Sequence, residues 1–228
     1  MSLPDNDTQI LELIKSDLST AVVGDVLDAA GLTSQFLPPQ IRPLEPGMLL
    51  AGRAMPVLEA DCLGEEVTSQ GKNHPFGVMF EALDALGPND VYICTGSSPT
   101  YALFGELMSK RAMKLKAAGA IVDGFSRDTR GILKLGFPVF SHGSYAQDQR
   151  VRGRVIDFGC PIKFGNGVVV RPGDIVFGDI DGVVVIPKTV EREIILGALD
   201  KVNGENTVAT AIEGGMSTVE AFETFGIM

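Results

Sequence analysis

Residues 91–128 read VYICTGSSPTYALFGELMSKRAMKLKAAGAIVDGFSRD. The first six, VYICTG, are apolar with β-branched members, which predicts a short buried strand. SSPTYA is a polar loop. A helix is expected from near Phe104. Leu107, Met108, Ala112, Leu115 and Ala118 form an apolar stripe, Lys110, Lys114 and Lys116 face outward, and Gly119 ends the helix. AIVD is the next strand and GFSRD the loop after it. Residues 91–123 therefore form a strand–helix–strand unit whose strands are expected to be parallel, with a right-handed crossover. Ligands of such units gather at the carboxyl ends of strands and at helix N-termini. The turn before Glu106 and the loop after Asp123 fall at that same end.

Outward from this unit, Ile10, Leu11, Ile14 and Leu18 recur at helical spacing. Ser19 or Thr20 is expected to cap a second helix, TAVVGDVLDAAG, which Gly31 stops. Asp25 and Asp28 stand three apart on it and read as a polar face before they read as ligands. Residues 38–47 are Pro-rich and irregular. Residues 48–60, MLLAGRAMPVLEA, form a strand pair or one bent strand, with Gly52 at a bulge and Pro56 pointing to an edge. Residues 61–75 are a polar loop holding a solvated His74. Residues 76–86 read as a helix with Phe76, Met79, Phe80 and Leu83 on one face.

Past the central unit, a short helix over 131–135 and a strand in FPVFSHG are expected. Beyond Arg152 the pattern is all-β, with NG, PGD and DG turns between β-branched runs, a hairpin signal. A long helix follows Pro187, and Ser217 with Glu220 fits the capping box of a last one. The chain reads as one α/β domain over 1–228, with N-terminal helices at 7–31, a core at 48–187 and C-terminal helices at 188–228.

The 29 acidic residues outnumber the 19 basic ones, for a net charge of -10. That balance, with no basic cluster in the sequence, makes the chain a poor candidate for nonspecific nucleic-acid or anionic-membrane binding, which needs clustered Lys and Arg. Three widely spaced Cys without a CxxC read as free thiols in a reducing cytoplasm. No apolar run approaches the ~20 residues of a membrane span, and MSLPDNDTQ is no signal peptide. Two separated His make a His-rich zinc site improbable, and no GxSxG, GxxxxGK[ST] or HExxH occurs.

Carboxylate, arginine and backbone remain. Asp128 and Glu106 are oxygen ligands suited to a hard cation such as Mg²⁺. Arg127 offers a planar fork for a carboxylate or carbonyl oxygen. The N–H groups around Leu107 and Met108, at a helix start, favour an anion. Together they suit a small 2-oxo acid and carbon–carbon cleavage beside its oxo group. The competing reading is that Arg127 and Asp128 only cap or bridge structure.

LSTAVVGDVLDAAG, GRA at Gly52, FGELMS at Phe104, AGAIVDGFSRD at Ala118, FPVF at Phe137, GVVVRPGDIVFGDIDGVVVIP and GGMSTVEAFETFG together resemble the RraA-like proteins. That family includes the 4-hydroxy-4-methyl-2-oxoglutarate / 4-carboxy-4-hydroxy-2-oxoadipate aldolases. The resemblance implies an α/β/β sandwich of the swivelling phosphohistidine-domain type, with a central βαβ unit and a C-terminal helical extension, assembled as trimers or hexamers. It implies a Mg²⁺- or Mn²⁺-dependent aldolase that releases pyruvate and also decarboxylates oxaloacetate. By motif, Asp128 would hold the metal, partly through waters, and Arg127 the substrate. Glu106 would contact metal-bound water and assist proton transfer. Gly105, Leu107 and Met108 would hold the pyruvoyl carboxylate through backbone amides. Glu205 is the candidate for an acidic residue supplied by a neighbouring subunit. Met55-Pro56 and His142 depart from the family pattern and bear on substrate range. The family also holds ribonuclease regulators that act by protein–protein contact, which is the alternative function. A Schiff-base aldolase would need a buried Lys, and the Lys residues here read as exposed.

Overall fold

The computed structural model describes residues 3–62 and 74–226, so most of the 61–75 loop lies outside the described residues. Helices α1 (Asp7–Asp17) and α2 (Thr20–Ala29) come first, capped by the Asn6 and Ser19 side chains. Then come β1 (Arg42–Pro43), β2 (Leu50–Asp61), α3 (Met79–Asp84), β3 (Asp90–Thr95), β4 (Ala102–Phe104) and α4 (Glu106–Lys114). They are followed by β5 (Gly119–Val122), β6 (Phe125–Ser126), α5 (Thr129–Leu135) and β7 (Val139–Ser141). The chain continues through β8 (Gly153–Phe158), β9 (Ile162–Lys163), β10 (Val169–Val170), β11 (Ile175–Asp179) and β12 (Gly182–Ile186). It finishes in α6 (Glu191–Glu213) and α7 (Thr218–Phe225), the latter held by the Ser217–Glu220 capping box.

Eight strands of the described residues form one mixed sheet in the order β1-β7-β5-β3-β2-β11-β12, with β8 paired to the far half of β2. The run β2, β3, β5, β7 is parallel, as the central strand–helix–strand unit requires, whereas β11 and β12 form an antiparallel hairpin. Arg42 of β1 donates to the carbonyls of Ile180 and Asp181 in the β11–β12 turn. The first and last strands thus approach each other and the sheet nearly closes.

Period-two alternation sorts its side chains. Ala54, Val91, Ile93, Ile121, Phe140, Val176 and Val185 share one core cluster, which the β9–β10 hairpin plugs with Ile162, Phe164, Val168 and Val170. Gly178 belongs here because a Cβ would come 2.8 Å from the Phe140 ring. On the other face, Tyr92, Cys94, Ala120, Val122 and Val139 pack under α3, α4 and α5. Ile175, Phe177, Val184 and Ile186 pack under α1, α2 and α6. Arg53 of β2 pairs with both Asp7 of α1 and Glu191 of α6, tying two helices to the sheet. No helix of the described residues is long and apolar enough to cross a membrane.

Several sequence expectations need correction. Residues 48–60 are neither a strand pair nor an edge: β2 is one twelve-residue strand with partners on both sides. Pro56 is tolerated because the Ala54 N–H points to Asp174, so the donor missing two residues on falls where β11 has ended and β8 begins. The bulge is at Leu58/Glu59, not Gly52. The helix expected over 76–86 is shortened to α3, because Gly77 at φ 63 turns the chain first, and Phe80 is exposed. α4 ends at Lys114 rather than at Gly119, which already belongs to β5; Lys116 at φ 65 makes the break. Leu107 is 78% exposed and lies outside the apolar stripe. Part of the SSPTYA loop runs into β4, and PGD connects β10 to β11 in different sheets rather than forming a hairpin.

Candidate active site

β4 and β6 pair in parallel as a small second sheet, with Phe104 opposite Ser126, and the Arg127 N–H donates to the Phe104 carbonyl at 2.9 Å. The turn that starts α4 is thereby stitched to the loop after β5. Phe104 anchors it, buried against Tyr92 and Phe137 at ring separations of 5.6 Å and 6.3 Å. Gly105 is the N-cap of α4 and has no side chain to satisfy the first turn. The N–H groups of Glu106, Leu107 and Met108 therefore remain available to an anion.

Asp128 adopts a left-handed backbone, φ 57, at the start of α5 but makes no side-chain cap bond to that helix. Its carboxylate lies against Gly105 instead: a Cβ on Gly105 would sit 2.9 Å from Asp128 Oδ2. Arg127 reaches Asp128 Oδ2 with Nε at 3.7 Å and Asp148 Oδ1 with Nη1 at 3.1 Å. Arg127, Asp128, Asp148, Gln149, Gly105, Leu107 and Met108 line one cleft of about 240 Å³, whose remaining wall includes Phe76, Met79 and Phe80. The structure thus brings Gly105, Leu107, Met108, Arg127 and Asp128 together.

Glu106 stands on the other side of Asp128. It pairs with Lys110 at 2.6 Å and lines a shallow groove with Asp128, Thr129 and Lys134. Gly131 makes room for it, since a Cβ there would lie 2.1 Å from Glu106 Oε2. Glu205 is on α6, 3.3 Å from Lys201, which also reaches Asp25 at 3.2 Å. Within one chain Glu205 lines neither cleft nor groove. Met55 packs in the core under α3 and α4, and His142 pairs with Asp123 at 3.1 Å beside a separate depression, so neither departure from the family pattern touches this cleft.

Among the described residues no three His, Cys, Asp or Glu side chains converge as metal ligands. The donors present fit a different kind of centre. The Asp128 carboxylate is uncapped, 47% exposed and shared by cleft and groove. One hard carboxylate completed by water and substrate oxygens is how Mg²⁺-like ions are commonly held.

Two groups escaped the sequence reading. Asp148 lies in a polar stretch without periodicity and gave no signal. Glu59 had one: it stands two residues after Val57, on the buried face of β2. Gln149, on the cleft wall, donates to Glu59 Oε2 at 2.5 Å, while Oε1 has no partner. Burial pushes the Glu59 carboxyl up to about 8, and the bond from Gln149 only partly offsets it.

A family model described as "RraA-like: Aldolase/RraA" matches residues 20–185. A Halalkalibacterium halodurans protein, provisionally named a 4-hydroxy-4-methyl-2-oxoglutarate aldolase, is 32% identical over 90% of this chain and 90% of its own. DlpA of Legionella pneumophila is 27% identical over 91% of this chain, which spans only 32% of DlpA's length. The crystal structure of Streptomyces coelicolor RraAS2, described as an unusual member of the RNase ES inhibitor RraA family, superposes with a TM-score of 0.75. It covers 90% of this chain and 97% of its own at 22% identity, a likeness of fold alone.

Proposed function

The chain belongs to the RraA-like family, and on that footing we propose that it is a divalent-metal-dependent carbon–carbon lyase. It would cleave 4-hydroxy-4-methyl-2-oxoglutarate-type 2-oxo acids to pyruvate and decarboxylate oxaloacetate. The observation that carries this reading is the meeting of Arg127 and Asp128 with the uncapped start of α4 across one cleft.

Asp128 would hold Mg²⁺ or Mn²⁺ together with waters, with Glu106 approaching through water from the groove side. When bound, the cation supplies Lewis acidity at the substrate's oxo oxygen. The amides of Leu107 and Met108 hold the C1 carboxylate at the helix N-terminus. Arg127 faces the C2 oxygen, and its fixed charge stabilises the negative charge that gathers there as the C3–C4 bond breaks. Glu106 accepts the C4 hydroxyl proton through water. Oxaloacetate needs no such acceptor, because its C4 leaves as CO₂, and in both reactions the resulting enolate takes a proton from water at C3 to give pyruvate. A homotrimer or hexamer in which a neighbour supplies Glu205 is part of this proposal.

The test is pyruvate release, followed with lactate dehydrogenase and NADH. Pyruvate formed from 4-hydroxy-4-methyl-2-oxoglutarate in Mg²⁺ and abolished by EDTA is the expected result, and no metal-dependent pyruvate would contradict it. The alternative, a ribonuclease regulator, draws on the net charge of -10. It predicts salt-sensitive capture of a basic ribonuclease, with Arg127→Ala leaving capture intact.

A further inference from the structure

We propose that Asp148 positions the Arg127 guanidinium for the substrate's C2 oxygen, acting through Arg127 rather than on the substrate itself. This rests on the 2-oxo acid reading above and adds to it a residue to which that reading gives no role.

The near half of Arg127 is placed by the β4–β6 sheet. Its backbone N–H donates to the Phe104 carbonyl, and its stem runs past Gly105, where a Cβ would lie 3.5 Å from Arg127 Cγ and 3.8 Å from Nε. The fork beyond Nε still has to be aimed. Asp128 is poorly suited to this: it stands 3.7 Å from Nε, outside hydrogen-bond reach, and its carboxylate is the one assigned above to the cation. Asp148 Oδ1 is 3.1 Å from Nη1, and Arg127 is its only ionic partner among the described residues. A cation and a guanidinium directed at one oxygen also repel each other, and a carboxylate on the fork offsets that repulsion.

Asp148 stands on a built support. The Ala102 N–H donates to the Gln147 carbonyl at 2.8 Å, which bridges this segment to β4. The Gln149 carbonyl accepts from the Arg152 and Gly153 N–H groups at 2.9 Å and 3.0 Å, closing a turn. The Gln149 side chain is 2% exposed and donates to Glu59 of β2, which is 1% exposed. The chain is thus tied to β4 just before Asp148 and to β2 just after it, and the Asp148 carboxylate is left half-buried on the cleft wall. An exposed ion pair adds little to stability by itself, so the use this support serves is to aim Arg127.

Electrostatics without positioning predicts the opposite sign. Asp148 is an anion in a cleft that takes anions, so removing its charge should tighten anionic ligands unless the carboxylate is needed to aim Arg127. Calorimetry on the full-length protein in Mg²⁺, with pyruvate and oxalate as probes, separates the two. Oxalate resembles the pyruvate enolate in shape and carries negative charge where the C2 oxygen lies, so it draws more on Arg127 than the neutral carbonyl of pyruvate does. Asp148→Asn keeps the size of a half-buried side chain and removes its charge. It is expected to weaken oxalate about tenfold and to change pyruvate by less than about twofold. In an Arg127→Ala background the same substitution should leave oxalate affinity unchanged or tighter, because the group it acts through is gone. Oxalate bound by Asp148→Asn at least as tightly as by wild type, or weakened equally in both backgrounds, would overturn this inference alone. A wild-type protein that binds neither pyruvate nor oxalate would overturn the 2-oxo acid reading and this inference with it.

Discussion

Asp128 is where local conformation and chemistry meet. A left-handed backbone costs an L-residue about 1–2 kcal/mol, least for Asn and Asp. Here it turns the carboxylate off its own helix and against Gly105. Gly105 is extended, at φ -150, so Gly105→Ala strains no backbone but sets a methyl on Asp128 Oδ2. The expected outcome is an unchanged melting temperature with pyruvate-forming kcat/KM lowered by about 10²-fold, as for a misplacement near 1 Å. Unchanged kcat/KM would speak against the placement of Asp128. Glu59 yields a prediction about stability. Its carboxyl lies above the usual carboxylate range in the folded protein, at about 8, so the folded state holds a proton that the unfolded chain releases near 4.5. That contribution is complete below the unfolded value and is lost as pH rises through about 8. Glu59→Gln keeps an acceptor for Gln149 and removes the titration. Urea unfolding should therefore show a flatter stability profile than wild type between pH 5 and pH 8, and parallel profiles would refute the assignment. Arg127 and Asp128 stand out in the sequence as a cation beside an anion after a strand, a pattern that equally suits a structural bridge, and it is the family motif that marks them as site candidates. Asp148 was not legible, since only the β4–β6 pairing and the nearby Ala102–Asp148 bridge bring it to Arg127.

At the scale of elements, the sequence was clearest where a helix announces its own ends. Ser19, Gly31 and the Ser217–Glu220 box all act where spacing placed them. It was weakest where an element depends on its neighbours. Pro56 suggests an edge to any reader of one strand, and only the handover from β11 to β8 shows why a central strand accepts it. Likewise nothing local says that Leu107 and Phe80 stay exposed, because that depends on a cleft formed by distant segments. The start of α2 rests on such a distant partner. Asp179 at the end of β11 accepts from the Thr20 N–H and hydroxyl, each at 2.8 Å, and from the Asp181 N–H at 2.9 Å. Asp179→Ala should lower unfolding free energy by about 2–4 kcal/mol in urea titration, because it leaves buried donors unpaired. A loss below about 0.5 kcal/mol would mean that water replaces these bonds.

At the scale of the molecule, the nearly closed sheet gives the site a rigid base. Its plugged interior and two helical layers hold β3, β5 and the loops beyond them, while the cleft opens at their carboxyl ends. That end was legible from strand–helix–strand order alone, whereas the near closure through Arg42 was not, since it joins segments 138 and 139 residues apart. The scaffold should therefore survive loss of the chemistry. The decisive measurement is kcat/KM for metal-dependent pyruvate release by Asp128→Asn, with its circular dichroism and melting temperature compared with wild type. Native folding with turnover reduced by about 10³-fold or more is expected if this carboxylate holds the cation. A folded variant with wild-type turnover would contradict the claim that Asp128 and Arg127 form the reacting centre.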